Sequence, residues 1–314
     1  MQQYRIVTAN SREGCVRAGM SGFQVGEVAV RVQSDAEIDL NLTPPLERFW
    51  SDANNPSVDL QVEWTSDLKA NSRGEIFDSG SIWKLYWRDS NFCFDFSAPI
   101  FGEQPYKRML VDQQFRYARL LLNRESFTNF AGDIAPLDYP LDELLIMHRL
   151  AHETGIELHA CGIVLPNGVG NLFVGHSGAG KSTTTRLWTV REEVLVLSDD
   201  RIIVRPDNSA GGLSRAMRMY GTPWHGDAMY ASPESAPIKR IFVLEHGNGN
   251  KLTQLSPSEA VAELFARSFV PFHRHEYVES ALQFLEQVAA SVPCYRYLFE
   301  PNDAAVETII NFQD

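Results

Sequence analysis

The sequence predicts an α/β phosphate-loop domain preceded by a β-rich (α+β) domain, and three observations carry that expectation. The first is the run Gly175-His176-Ser177-Gly178-Ala179-Gly180-Lys181-Ser182, a glycine loop ending in Lys-Ser, placed between a β-type run and a helical pattern. The second is the dominance of short β-type runs and turns before about residue 135. The third is a pair of short, wholly apolar runs after the loop, residues 194–197 and 241–244, of the kind that form buried strands.

The N-terminal elements follow from period and turn chemistry. Residues 23–32, 60–64, 81–88 and 91–96 read as strands, and Asp89-Ser90-Asn91 between the last two signals a hairpin. Leu110, Phe115, Ala118, Leu121 and Leu122 recur at helical spacing, which predicts a helix within residues 106–127. A further helix opens near Pro140, and the turn-rich residues 131–140 mark the boundary, giving domains 1–135 and 136–314.

Beyond the boundary, residues 156–165 and 170–175 form two strands joined by Pro166-Asn167-Gly168, a strong turn, and the second strand runs into the glycine loop. A helix is expected from Lys181 to about Val190. The strand at 194–197 ends in Ser198-Asp199-Asp200 and continues beyond it at 201–204, and helices are expected over residues 257–268 and 275–290.

Composition narrows the function classes. With 44% hydrophobic and 22% charged residues over 314 positions, the chain can bury one large or two medium cores. A net charge of -12, spread along the chain, argues against a nucleic-acid or anionic-membrane partner, both of which need basic surface. Cys15, Cys93, Cys161 and Cys294 lie far apart without zinc-ligand spacing, so reduced thiols are expected. No apolar run approaches membrane-spanning length and no secretory segment opens the chain, so a cytoplasmic location is expected.

The loop carries its own chemistry. Its glycines turn backbone N–H groups toward phosphate oxygens, the following helix N-terminus adds partial positive charge, Lys181 reaches the β- and γ-phosphates, and the Ser182 hydroxyl can hold Mg²⁺. Residues Gly175 to Ser182, with Thr183, are therefore the expected ATP-binding set. Asp199 lies 18 positions after Lys181, room for one helix and one strand, and no transporter signature or Asn-Lys-x-Asp base-reading motif intervenes. A carboxylate pair at that place suits phosphoryl transfer, in which one carboxylate faces the attacking hydroxyl and another holds Mg²⁺. The expected assignment is Asp199 to the hydroxyl and Asp200, with Ser182, to the metal. Arg218, Thr222 and His225, in a turn dense in polar groups, are expected to form a second, substrate-facing wall.

With its glycine loop, close Asp-Asp pair and hairpin leading into the loop, the segment from Leu158 to Val204 resembles the catalytic core of HPr kinase/phosphorylase and, more distantly, ATP-dependent phosphoenolpyruvate carboxykinase. The resemblance implies the C-terminal fold of HPr kinase for the second domain, ATP and Mg²⁺ as cofactors, a homo-oligomer, and a catalytic role for His159 beside Asp199 and Lys181. Two features depart from that family: its later Arg-Gly signature has no counterpart, and residues 1–135 do not resemble its N-terminal domain. The leading expectation is a kinase acting on a hydroxyl, Ser or Thr of a protein or peptide, with the N-terminal domain recognising the acceptor. The alternatives are a small-molecule hydroxyl kinase and a non-catalytic, ATP-dependent binding or assembly protein, to which a pair of catalytic carboxylates would be useless.

Overall fold

Period-two alternation of apolar residues builds the first half of the protein. The computed structural model describes residues 20–35, 38, 40–128, 135–190, 193–207 and 216–313. Its first sheet contains β1 (Met20–Val25), β2 (Val28–Ser34), β3 (Val58–Thr65), β4 (Glu75–Asp78), β5 (Trp83–Arg88), β6 (Asn91–Phe96), β7 (Lys107–Val111) and β8 (Tyr117–Asn123). The strand order is β1-β2-β3-β8-β7-β6-β5-β4, with β3 parallel to both β2 and β8 and the other pairs antiparallel. Two one-turn helices, α1 (Pro44–Glu47) and α2 (Arg124–Phe127), sit on its connections.

Two sequence expectations are corrected here. The apolar run at residues 23–32 is not one strand but the hairpin β1–β2, turned at Gly26-Glu27, where both residues have positive φ. The helix expected within residues 106–127 is the hairpin β7–β8, followed by the single turn α2. The Asp112 carboxylate decides the second case. It accepts N–H groups from Arg116 at 2.7 Å and Tyr117 at 2.8 Å, closing a turn that a helix would have to unwind. Met109 and Val111, then Leu120 and Leu122, are buried at strand period on one face.

The second half comprises α3 (Leu141–Leu150), β9 (Ile156–Val164), β10 (Gly170–Val174), α4 (Lys181–Thr189), β11 (Leu195–Ser198), β12 (Arg201–Pro206), β13 (Met217–Tyr220), β14 (Ser235–His246), β15 (Lys251–Gln254), α5 (Pro257–Phe265), β16 (Ser268–Phe269), α6 (His275–Ser291), β17 (Cys294–Phe299) and α7 (Asp303–Ile310). The main strand path is β10-β9-β12-β13-β14-β17-β15, and β10 also pairs with β14, so five strands close into a ring. One face buries its apolar residues against α5 and α6 through Leu264, Phe284, Leu285 and Val288, the other against α4 and α7 through Trp188, Val306 and Ile309.

The two halves share a core. The first sheet packs on α3 and on Ile203, Tyr220, Trp224 and Ala231 of the second half. Polar ties cross at the same place: Arg205 donates to the Gly26 carbonyl at 2.8 Å, Tyr220 to Glu27 at 2.7 Å, and Arg48 to the Ala231 carbonyl at 3.1 Å. The boundary at 135/136 therefore separates the two sheets without separating two cores, and residues 131–134 of the expected linker lie outside the described residues. Cys93, Cys161 and Cys294 are free and buried, while Cys15 falls outside the described residues.

Candidate functional site

Strand β9 changes neighbours halfway along. Its first half lies between β12 and β16, its second half between β10 and β11. At the seam, successive backbone groups hold three different segments. The His159 N–H donates to the Arg267 carbonyl at 2.8 Å, the His159 carbonyl accepts from Gly175 N–H at 3.1 Å, and the Ala160 N–H donates to the Asp200 carbonyl at 3.0 Å. The start of the glycine loop and the acidic pair are thus attached to two consecutive residues of one strand.

The loop leaves β10 at Gly175 and enters α4 at Lys181, with His176, Ser177 and Gly178 exposed. Gly180 caps the helix at φ 101°, and a Cβ there would lie 2.4 Å from the Phe299 ring, so both conformation and space demand glycine. His246, at the end of β14, meets the Gly178 carbonyl at 2.7 Å and stacks on Phe299, bracing the loop from below. Lys181 is buried and its Nζ donates to the Gly175 and His176 carbonyls at 3.0 and 3.2 Å. Burial lowers the ammonium's pKa, and the Asp200 carboxylate works against that shift. A buried lysine, an exposed glycine turn and the unpartnered N–H groups at the start of α4, with Ser182 and Thr183 in its first turn, fit a polyphosphate chain.

The two aspartates have different environments. Asp199 is fully buried, and its carboxylate accepts three backbone N–H groups: Gly226 and Tyr230 on Oδ1 at 3.0 and 3.2 Å, Ala228 on Oδ2 at 2.8 Å. A Cβ at Gly226 would come within 2.9 Å of this carboxylate, so glycine is what lets the turn approach. The expectation that Asp199 faces an acceptor hydroxyl does not match this geometry, because its oxygens are spent on holding the 226–230 turn. Asp200 points the other way. Its Oδ1 lies 2.8 Å from His159 Nε2 and 3.8 Å from Lys181 Nζ, and its Oδ2 pairs with Arg201. Burial opposes ionisation of Asp200, but the His159 hydrogen bond and the charges of Arg201, His159 and Lys181 outweigh it and hold the carboxyl below the usual range.

Arg201 is held in turn. Its guanidinium lies over the Phe269 ring at 4.0 Å, with Nε 3.0 Å from Glu143 and 3.5 Å from the fully buried Glu157. Burial, followed by the nearby Glu143 charge, pushes the Glu157 carboxyl well above its ordinary value. The sequence reading missed Arg201, Glu143 and Phe269. The position of Arg201 directly after the acidic pair was the available signal.

The expected second wall is only partly assembled. His225 reaches the Asp200 side, beside a cavity of about 420 Å³. Thr222 is buried and spends its hydroxyl on the Arg201 carbonyl at 2.8 Å. Arg218 sits opposite Arg205, at the far end of β12 from Asp200, and bonds Asp207 at 3.0 Å and Ser235 at 3.2 Å. Arg218 and Thr222 are therefore not brought to the loop as expected: the strand register carries one away from it, and a backbone carbonyl takes up the hydroxyl of the other.

Among the described residues, no group of three or more His, Cys, Asp or Glu side chains is arranged to hold a metal ion. Nucleotide-bound Mg²⁺ characteristically needs only one or two protein oxygens besides phosphate, and the candidates are Ser182, in the first turn of α4, and Asp200, 3.8 Å from Lys181. No helix among the described residues is long and apolar enough to cross a membrane. No family model matches the chain, and no curated protein matches it.

Proposed function

We propose that this protein is an ATP- and Mg²⁺-dependent kinase of HPr kinase-like type that transfers the γ-phosphate to a hydroxyl. The observation that carries the proposal is Asp200: a carboxylate hydrogen-bonded to His159, 3.8 Å from the loop lysine, and lining an open cavity. A carboxylate held ionised beside the loop lysine and open to a cavity suits a proton acceptor, a role that a protein which only bound ATP would not need.

In this proposal the backbone N–H groups of Gly178, Gly180, Lys181, Ser182 and Thr183 and the Lys181 ammonium hold the β- and γ-phosphates. Mg²⁺, held by Ser182 and phosphate oxygens, would neutralise charge as it shifts toward the leaving group. Asp200 accepts the hydroxyl proton as the acceptor oxygen bonds to the γ-phosphorus and the bond to the β–γ bridging oxygen breaks, leaving ADP. His159 and Arg201 keep Asp200 ionised and oriented, and Asp199 fixes the turn beneath. The catalytic carboxylate is thus Asp200, not Asp199 as the sequence suggested, and the kinase assignment itself is unchanged.

A Ser or Thr of a protein or peptide, expected from the resemblance, is one acceptor class. The cavity beside Asp200 favours the second, a small-molecule alcohol. Calorimetry with MgATP tests the nucleotide half of the proposal: wild-type protein binds, and Lys181→Ala weakens binding at least tenfold with an unchanged circular dichroism spectrum. Equal affinity in the variant refutes the phosphate-loop assignment.

A further inference from the structure

Resting on the kinase proposal, the next question is what the space beside Asp200 admits. The cavity of about 420 Å³ is walled by Pro45, Tyr139, Asp142, Asp200, Trp224 and His225. It falls in the range of about 300–1,000 Å³ that small ligands occupy. Its walls come from four places: the α1 segment of the first half, the start of α3, Asp200 and Arg201 at the start of β12, and residues 223–225 just before the turn that Asp199 pins. It is therefore a composite site, complete only when both halves are folded together.

The chemistry of the walls is one-sided. Tyr139 is 58% exposed, an aromatic side chain left uncovered at the cavity, with the imidazole of His225 and the indole of Trp224 nearby. The Trp224 Nε1–H donates to Asp142 at 2.9 Å, a bond that orients the buried indole. The cation of this wall is Arg201, and its charge is answered by Glu143 and Asp200. Asp142, which accepts from the Trp224 Nε1–H and the Glu143 N–H at 2.9 Å, adds a second carboxylate to the wall. Burial pushes its carboxyl up to about 6.

We infer that this cavity is the acceptor subsite, and that it takes a small alcohol carrying no net negative charge, a sugar or an amino alcohol, presenting a hydroxyl to Asp200. Aromatic faces bind the apolar side of a sugar ring or an ammonium group. Carboxylates complete the hydrogen bonds of neutral hydroxyls and attract cations. An anionic acceptor would bring its charge up to the Asp200 carboxylate, where like charges disfavour binding. A phosphorylated product carries two added negative charges into this acidic wall, which favours its departure.

The test uses full-length protein, γ-labelled ATP and acceptors matched in shape but differing in charge: glucose, glucosamine and glucuronate on one ring, ethanolamine against glycolate, and a serine-containing peptide. A neutral or cationic member should be phosphorylated with kcat/KM at least tenfold above its anionic counterpart and above the peptide. Tyr139→Ala, at an exposed side chain that the core does not need, should raise the acceptor KM about tenfold while kcat changes less than threefold. His225→Ala provides a second variant with the same expected split. Transfer to the peptide alone, preference for the anionic member, or an unchanged KM in both variants overturns the inference. If MgATP binds and is hydrolysed but no small alcohol in the set is phosphorylated, the subsite inference fails and the kinase proposal stands. If MgATP does not bind, both fall.

Discussion

Replacing each aspartate of the pair with asparagine should produce two different failures. Asp199→Asn puts an NH₂ group where one carboxylate oxygen stood, facing backbone N–H donors from the 226–230 turn. At least one N–H loses its acceptor, and the charge assisting the remaining bonds is gone. A buried donor left without a partner costs about 1–3 kcal/mol, and hydrogen bonds to charged groups are each worth about 1.5–3 kcal/mol. Asp199→Asn should therefore lose roughly 2–4 kcal/mol of stability. Asp200 is a quarter exposed and Arg201 keeps Glu143, so Asp200→Asn should cost only about 1 kcal/mol. Turnover should behave the opposite way: removing a general base lowers phosphoryl transfer by roughly 10²- to 10⁴-fold, so Asp200→Asn stays folded, binds MgATP and is inactive. The assays are urea denaturation and labelled phosphate transfer on the same preparations, with ATP hydrolysis as the fallback activity. If Asp199→Asn is as stable as wild type yet inactive, the assignment of the base to Asp200 is wrong. If excess Mg²⁺ restores Asp200→Asn, that carboxylate is a metal ligand and not the base.

Two further outcomes are expected. His148 is pushed down to about 3 by burial and then the charge of His273, and His273 is pushed down to about 4 by burial and then Arg274. Both folded values lie below the unfolded value of about 6.5, so stability is complete above pH 6.5 and falls as the pH drops toward 4, by roughly 1.4 kcal/mol per pH unit for each histidine. Urea midpoints between pH 7 and 5 measure this. His148→Phe should remove about half of the acid sensitivity, and a pH-independent midpoint in wild type rules the mechanism out. Because Ile203, Tyr220 and Trp224 are buried against the first sheet, residues 136–314 expressed alone should expose that face and aggregate or melt well below the full chain. A soluble, cooperatively folded fragment would show that the shared core is dispensable.

Local chemistry made much of the site legible. The strand–glycine loop–helix arrangement follows from residues adjacent in sequence, and the turn at Pro166-Asn167-Gly168 and the hairpin turn at Asp89-Ser90 appear where their dihedral preferences put them, with positive φ at Gly168, Asp89 and Ser90. The β7–β8 hairpin was illegible for a definite reason. Leu110, Phe115, Ala118, Leu121 and Leu122 satisfy a 3.6-residue period, while the turn depends on Phe115 adopting φ 53°, which nothing about phenylalanine announces. The aspartate roles were illegible because they depend on which oxygen meets the 226–230 turn, some 30 residues away. The cavity was hidden for the same reason: Pro45, Tyr139 and Trp224 are far apart in the chain and meet only through the core shared by the two halves.

The double partnership of β9 has a consequence for how such a site could be retuned. Gly175, Asp200 and Arg267 all hang from His159 and Ala160 by main-chain bonds, and the strand has neighbours on both sides along its length. A shift of that strand would carry the glycine loop and Asp200 along together, leaving the distance between them nearly constant, and a one-residue slip would exchange His159 for an apolar neighbour altogether. Backbone drift is therefore a poor route to new specificity here. Freedom lies with side chains that reach in from outside the attachment, Pro45, Tyr139 and His225 among them, so a lineage could change what the cavity admits while the loop and the acidic pair stay in place.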